Sequence, residues 1–195
     1  MKVIHKVKNI HIKHHGNFRT TNKERSVVKV GSELEKYMKN YGYNVIHDTT
    51  YYDYPSYNGS YDRSLSNVGK LLDKNKGTDI LFDIHRDAIG DSSYAPTVKI
   101  GDEYAAQLLF VIGSNGGGGK HDNWQQNLKF AIKIQEKANE MYPGLFKPII
   151  LRNSRYNQQL AKGSSIIEVG ATGNTLDQCL VSMKYLSKIL SEVVK

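Results

Sequence analysis

Thr78-Asp79-Ile80-Leu81-Phe82-Asp83-Ile84-His85-Arg86-Asp87-Ala88 is the stretch that decides the fold. Its apolar half reads as a buried strand, bounded by Lys76-Gly77 on one side. It then ends in His85-Arg86-Asp87, which packing alone does not call for. A histidine at a strand mouth, flanked by charges, suggests a metal or catalytic centre. Period-two alternation puts Asp83, His85 and Asp87 on one face if the strand runs that far.

Outward from this strand, helical and extended patterns alternate. Toward the N-terminus, Asp62–Lys74 reads as a helix with Leu65, Val68 and Leu72 on one side, and Asn44–Asp48 as a strand. Before them, Glu24–Tyr41 carries Val27, Val30, Leu34, Tyr37, Met38 and Tyr41 at helical spacing, with Gly42 as its stop. Val7–His14 reads as a first strand. Toward the C-terminus, Val98–Ile100 and Gln107–Ile112 read as strands joined through Gly101-Asp102. Asp122 or Asn123 caps a helix running to Met141. Pro148–Leu151 and Ser165–Val169 read as strands, and Asn174 or Thr175 starts a last helix. This order predicts one α/β domain over residues 1–195, a mostly parallel, mixed and twisted sheet of about six strands with helices on both faces. In such sheets, sites form beyond the carboxyl ends of the strands.

Composition narrows the chemistry. The single cysteine, Cys179, excludes an internal disulfide and a thiolate zinc cluster, and it lies on the apolar stripe of the last helix as a small core residue. Any metal must use histidine and carboxylate ligands. The net charge of +8 suits nucleic acid, anionic lipid or an anionic polymer such as bacterial wall. The lysines are scattered, with no basic stripe and no nucleic-acid motif, so no nucleic-acid partner is expected. No run reaches the roughly 20 apolar residues of a membrane span. Met1–Lys8 is followed by no apolar signal-peptide core, so the chain reads as a cytosolic product or as a domain of a longer exported protein.

Three predicted strand ends carry unusual groups. Glu168 sits inside Ser164-Ser165-Ile166-Ile167-Glu168-Val169-Gly170, where a carboxylate needs a cation, a metal or several hydrogen bonds to tolerate burial. His85 ends the third strand. His14-His15-Gly16 ends the first, and a surface histidine at a turn is its plainer reading. Glu24 follows nine residues after His15, where a first-turn glutamate complementing the helix dipole is a serious alternative. Two histidines, a carboxylate and an open position fit catalytic zinc, and a further glutamate would shuttle the proton. Arg86 has two readings, an oxyanion or substrate-carboxylate contact and a plain ion pair with Asp87. Tyr51–Tyr61 holds five tyrosines; packing of the loop against the body is weighed ahead of stacking on sugar or peptide. Ser114–Gly119 lacks the Gly-Lys-Ser/Thr ending of a phosphate loop and reads as an active-site or hairpin loop.

The order His15-Gly16, Glu24, Lys39-Asn40-Tyr41-Gly42-Tyr43-Asn44-Val45, Asp83-Ile84-His85-Arg86-Asp87-Ala88 and Ile167-Glu168-Val169-Gly170 with Asn174 resembles the zinc-dependent family-3 N-acetylmuramoyl-L-alanine amidases. Val30–Leu34, His47-Asp48-Thr49-Thr50, Asp53–Tyr61, Arg63-Ser64, Asn123-Trp124, Asn127-Leu128, Pro143-Gly144-Leu145 and Arg155-Tyr156-Asn157-Gln158 narrow the likeness to the stage II sporulation protein P family. It covers nearly the whole chain from Ile10.

The resemblance implies a hydrolase of peptidoglycan that cuts between N-acetylmuramic acid and L-alanine, with stem-peptide endopeptidase activity as the alternative. It implies Zn²⁺ held by His15, Glu24 and His85, and Glu168 as the catalytic glutamate. Asn123, Trp124, Asn127 and Asn157 become substrate contacts. It also implies action at the cell wall, in sporulation-linked septal degradation during engulfment, beside other wall-remodelling proteins. The chain departs from the family at Lys13-His14-His15-Gly16-Asn17-Phe18, where the sporulation protein usually has His-Thr-His-Thr-x-Glu and a longer loop. His14 is therefore an alternative to His15, and also to Glu24 as the third ligand, and a phage-type lysin released at lysis is an alternative origin. A wall-binding module without turnover is the alternative outside the hydrolases.

Overall fold

The Thr78–Asp87 strand lies at the heart of a six-stranded sheet. The structure, a computed structural model, describes residues 2–7, 20, 22–54 and 56–194. In chain order the strands are β1 (Lys2–Val7), β2 (Asn44–Asp48), β3 (Thr78–Asp87), β4 (Thr97–Ile100), β5 (Glu103–Ala106), β6 (Leu108–Gly113), β7 (Ile150–Arg152) and β8 (Gly163–Ala171). The helices are α1 (Val27–Asn40), α2 (Ser60–Lys74), α3 (Trp124–Met141) and α4 (Leu176–Val193). The main sheet has the order β2-β1-β3-β8-β6-β7, and β4 and β5 form a separate hairpin. All neighbouring pairs of the main sheet are parallel except β6 with β8. This is the mixed, mostly parallel α/β sheet that the alternating pattern predicts.

The strand order carries the chain from β1 outward to β2 and then back across β1 to β3. Crossovers of one hand therefore place α1 and α2 on opposite faces. The packing agrees. Val30, Leu34 and Met38 of α1 share a core with Ile80, Phe82 and Ile84 of β3, with Ala131 and Ile134 of α3 and with Met183, Leu186 and Ile189 of α4. Within this core the Phe82 and Phe130 rings stack at 6.4 Å, and those of Phe110 and Phe146 at 4.8 Å. On the other face, Val68 of α2 packs on Leu81 of β3 and on Ala161. Even and odd residues of β3 thus enter different environments: Ile80, Phe82 and Ile84 face three helices, while Leu81, Asp83 and His85 face α2.

Several sequence expectations shift. The described first strand is Lys2–Val7, and residues 8–14 of the expected strand Val7–His14 lie outside the described residues. The expected helix from Glu24 is broken. Lys23–Arg25 forms a separate 3₁₀ turn, and Ser26 starts α1 by accepting from the Val28 amide. The turn at Gly101-Asp102 joins β4 to β5, not to the main-sheet strand β6. Asn123 precedes α3 without capping it through its side chain. The last helix starts as expected: Thr175 and Gln178 form a reciprocal capping box.

Candidate active site

The carboxyl ends of β3 and β8 bring two predicted residues onto one rung, since His85 is the register partner of Glu168. Both side chains are largely buried, at 7% and 15% exposed, and His85 Nδ1 stands 3.9 Å from Glu168 Oε1. Two residues earlier on the same face, Asp83 brings Oδ1 to 3.0 Å from His85 Nε2. That approach is close but not aligned as a hydrogen bond, so we treat it as an electrostatic contact that holds the ring between two carboxylates. Strand pairing fixes all three Cα positions. Gly170 completes the arrangement. Its φ of +65° turns the chain after Glu168, and a Cβ there would lie 2.7 Å from Asn174 Oδ1. That oxygen accepts from the Ala171 amide. This geometry explains why a glycine and an asparagine accompany the glutamate in the sequence.

Tyr61, at the start of α2, faces the same group. Burial first, and then the Asp83 charge, push its phenol well above the ordinary range, with Glu168 contributing. The phenol therefore stays protonated at neutral pH. The Tyr61 ring lies 5.8 Å from that of Tyr156. Tyr156 and Asn157 are the two non-glycine residues with positive φ among the described residues, at 51° and 58°. Asn157 holds its conformation by donating to the Tyr61 carbonyl at 2.7 Å and to Ser64 Oγ at 2.8 Å. A bulky residue in this region is an outlier, and such strain concentrates at functional sites. Tyr61 was legible only as one of a run of tyrosines. That run divides: Tyr52 is buried, whereas Tyr54 and Tyr57 are exposed.

The remaining predicted residues fall elsewhere. His14 and His15 lie outside the described residues. Glu24 sits in the 3₁₀ turn with its side chain 74% exposed, paired to Lys29 Nζ at 2.8 Å. Among the described residues, no three histidine, cysteine, aspartate or glutamate side chains gather closely enough to hold a metal ion. His85 nevertheless suits a ligand: a buried imidazole beside a carboxylate is the arrangement that orients metal-binding histidines. Asn127 is fully buried; it donates to the Gln158 carbonyl at 3.0 Å and accepts from the Ser164 amide. Asn123 donates to the Ala161 carbonyl at 2.6 Å. These asparagines tie α3 to the segment leading into β8, and Trp124 beside them is half-buried. The glycines of Ser114–Gly119 serve close approach, since a Cβ on Gly117 would lie 2.2 Å from the Asn153 carbonyl oxygen.

Arg86 follows His85 but points to the opposite face. Its side chain enters the space between α1 and α4, beside Val27, Val30 and Cys179. It is 3% exposed, and it forms no ion pair with Asp87 among the described residues. Burial lowers its pKa. Burial likewise pushes the Cys179 thiol up to about 12, so Cys179 remains an uncharged core residue, as the helical stripe predicts.

The fold has counterparts among known proteins. The catalytic domain of the CD27L endolysin targeting Clostridia difficile superposes with a TM-score of 0.59 at 16% identity, covering 100% of this chain and 96% of the other. The catalytic domain of CwlV, an N-acetylmuramoyl-L-alanine amidase from Bacillus (Paenibacillus) polymyxa var. colistinus, superposes with a TM-score of 0.56 at 13% identity, covering 100% and 96%. At such identities these likenesses show the fold. Stage II sporulation protein P of Bacillus subtilis (strain 168) is 29% identical over 143 residues, 71% of this chain. The chain spans about a third of that relative's length, 34%. The profile of the Stage II sporulation protein P (SpoIIP) family matches residues 9–191, and the chain belongs to that family.

Proposed function

We propose that this chain is a zinc-dependent peptidoglycan hydrolase that cuts the amide between the lactyl group of N-acetylmuramic acid and L-alanine, in the septal wall degradation of sporulation. The observation that carries the reading is the rung shared by His85 and Glu168 at the carboxyl ends of β3 and β8, with Asp83 behind the imidazole. Family membership and the shared amidase fold support it.

In this reading His85, His15 and Glu24 would hold the metal. When bound, zinc supplies Lewis-acid polarisation of the scissile carbonyl and acidifies water. The protein's own groups do the rest. Asp83, with Oδ1 3.0 Å from Nε2, faces the ring of His85 from behind and holds it in place by charge. Glu168, across the same rung, takes the proton of the attacking water and returns it to the departing amine, a contribution of roughly 10²–10⁴-fold. Tyr61, kept protonated by burial, donates a hydrogen bond to substrate held against α2. Tyr54 and Tyr57, exposed on the preceding loop, offer ring faces to glycan or stem peptide. The +8 charge matches an anionic wall polymer, in keeping with work at the cell wall. No helix of the described residues is long and apolar enough to cross a membrane.

The test is metal dependence. Release of soluble fragments from purified peptidoglycan should stop after dialysis against a chelator and return with one equivalent of Zn²⁺. Release that continues unchanged in the chelated protein would overturn the proposal.

A further inference from the structure

We infer that Arg86 and the N-termini of α1 and α4 form a buried site for one small monovalent anion of the chloride class, on the sheet face opposite His85. Arg86 is 3% exposed, and its Nε has no hydrogen-bond partner. No carboxylate of the described residues pairs with it. A guanidinium remains charged in proteins, and a buried charge without a counter-charge is strongly unfavourable.

Its surroundings carry the same sign. Ser26 is the N-cap of the 14-residue helix α1 and Thr175 that of the 18-residue helix α4, and both border the cavity into which Arg86 points. Each helix start carries the positive end of its dipole, roughly half a charge, although Ser26 and Thr175 each cap one amide of the first turn. Two helix N-termini and a guanidinium lining one cavity repel each other unless something negative lies between them, and such a lining suits an anion. Asp177, in the first turn of α4, is exposed and does not line the cavity.

Size and wall chemistry select the anion. The void is about 10 Å³, enough for a single water-sized body and too small for phosphate or sulfate. Val27, Val169 and Cys179 supply apolar walls, which favour a weakly hydrated monatomic ion over a strongly hydrated one. The position has a structural consequence. The pairing of β3 with β8 shifts register between His85 and Asp87, so an ion held by Arg86 would pin the strand end that carries His85.

The test compares melting of the full chain in sodium chloride and in sodium isethionate at equal ionic strength, together with the anomalous signal of bromide in crystals grown with sodium bromide. The melting temperature should rise by several degrees with chloride or bromide, saturably, and not with isethionate. A bromide peak should lie within hydrogen-bonding distance of the Arg86 guanidinium. Arg86→Met should lose the halide dependence. Identical melting in the two salts, bromide at surface positions only, or halide dependence retained in Arg86→Met would each overturn the inference. If Arg86→Met does not fold, the wild-type titration and the bromide position decide the matter on their own.

Discussion

Glu168→Gln separates chemistry from folding. The Glu168 side chain is 15% exposed, between Ile167 and Val169, which are 0% and 1% exposed. Glutamine keeps its volume and shape, so no cavity opens and the apolar neighbours keep their contacts. What changes is the charge 3.9 Å from His85 Nδ1. At 3.9 Å that contact is too long for a hydrogen bond, so its loss costs little stability. Removing a second carboxylate from the neighbourhood of Asp83 offsets part of even that loss. The proton-transfer role, by contrast, is lost. A general-base contribution of roughly 10²–10⁴-fold corresponds to about 2.7–5.5 kcal/mol of barrier. Turnover of dye-labelled peptidoglycan should fall by that factor while melting temperature and zinc content match the wild type. Full activity with full zinc would refute the reasoning. A lost metal would reassign Glu168 as a ligand, and a large drop in melting temperature would reassign it as structural.

Three further outcomes follow from the same geometry. Asp83→Asn should leave the sheet intact and weaken zinc affinity roughly 10–100-fold, measured by competition with a chromogenic chelator; unchanged affinity would remove Asp83 from its orienting role. Glu24→Ala breaks only an exposed pair with Lys29, worth at most about 1 kcal/mol, so loss of zinc in that variant reads ligation directly and retained zinc excludes it. Burial lowers the pKa of His47 and of His121 below the ordinary value of about 6.5. The unfolded chain then binds more protons than the folded one as pH falls. The stability from keeping both rings neutral is complete above pH ~6.5 and is lost as pH falls toward the folded values. Melting temperature should decline between about pH 7 and 5, less steeply in His121→Asn, and a flat profile in that window would count against the burial argument.

The alternation of strands and helices was legible because each element carries its own period: Val30, Leu34 and Met38 on α1, and Leu81, Asp83 and His85 on β3. Glu168 and His85 stood out because polar groups in apolar runs have few harmless explanations, and the sheet does put them on one rung. Pairing partners were not legible. Nothing local distinguishes Glu103–Ala106, which turns back on β4, from the main-sheet strand that begins at Leu108. The break at Ser26 was hidden because a capping serine inside a continuous apolar period looks like an ordinary helix position, and it moved Glu24 out of α1. The direction of Arg86 follows from alternation once the strand is known to reach Asp87. Its isolation depends on which charges the two helices bring near, a tertiary fact. Tyr61 joined the site through the fold of its loop, and Asn127 entered the core because α3 needs a tie to β8.

The most direct test of the central claim is the identity of the bond cut. Purified peptidoglycan digested by the zinc-loaded chain and resolved by mass spectrometry should yield intact, cross-linked stem peptides with a free L-alanine amino terminus, and glycan strands whose lactyl groups carry free carboxylates. Products opened within or between stem peptides, with L-alanine still joined to the muramyl lactyl group, would contradict it.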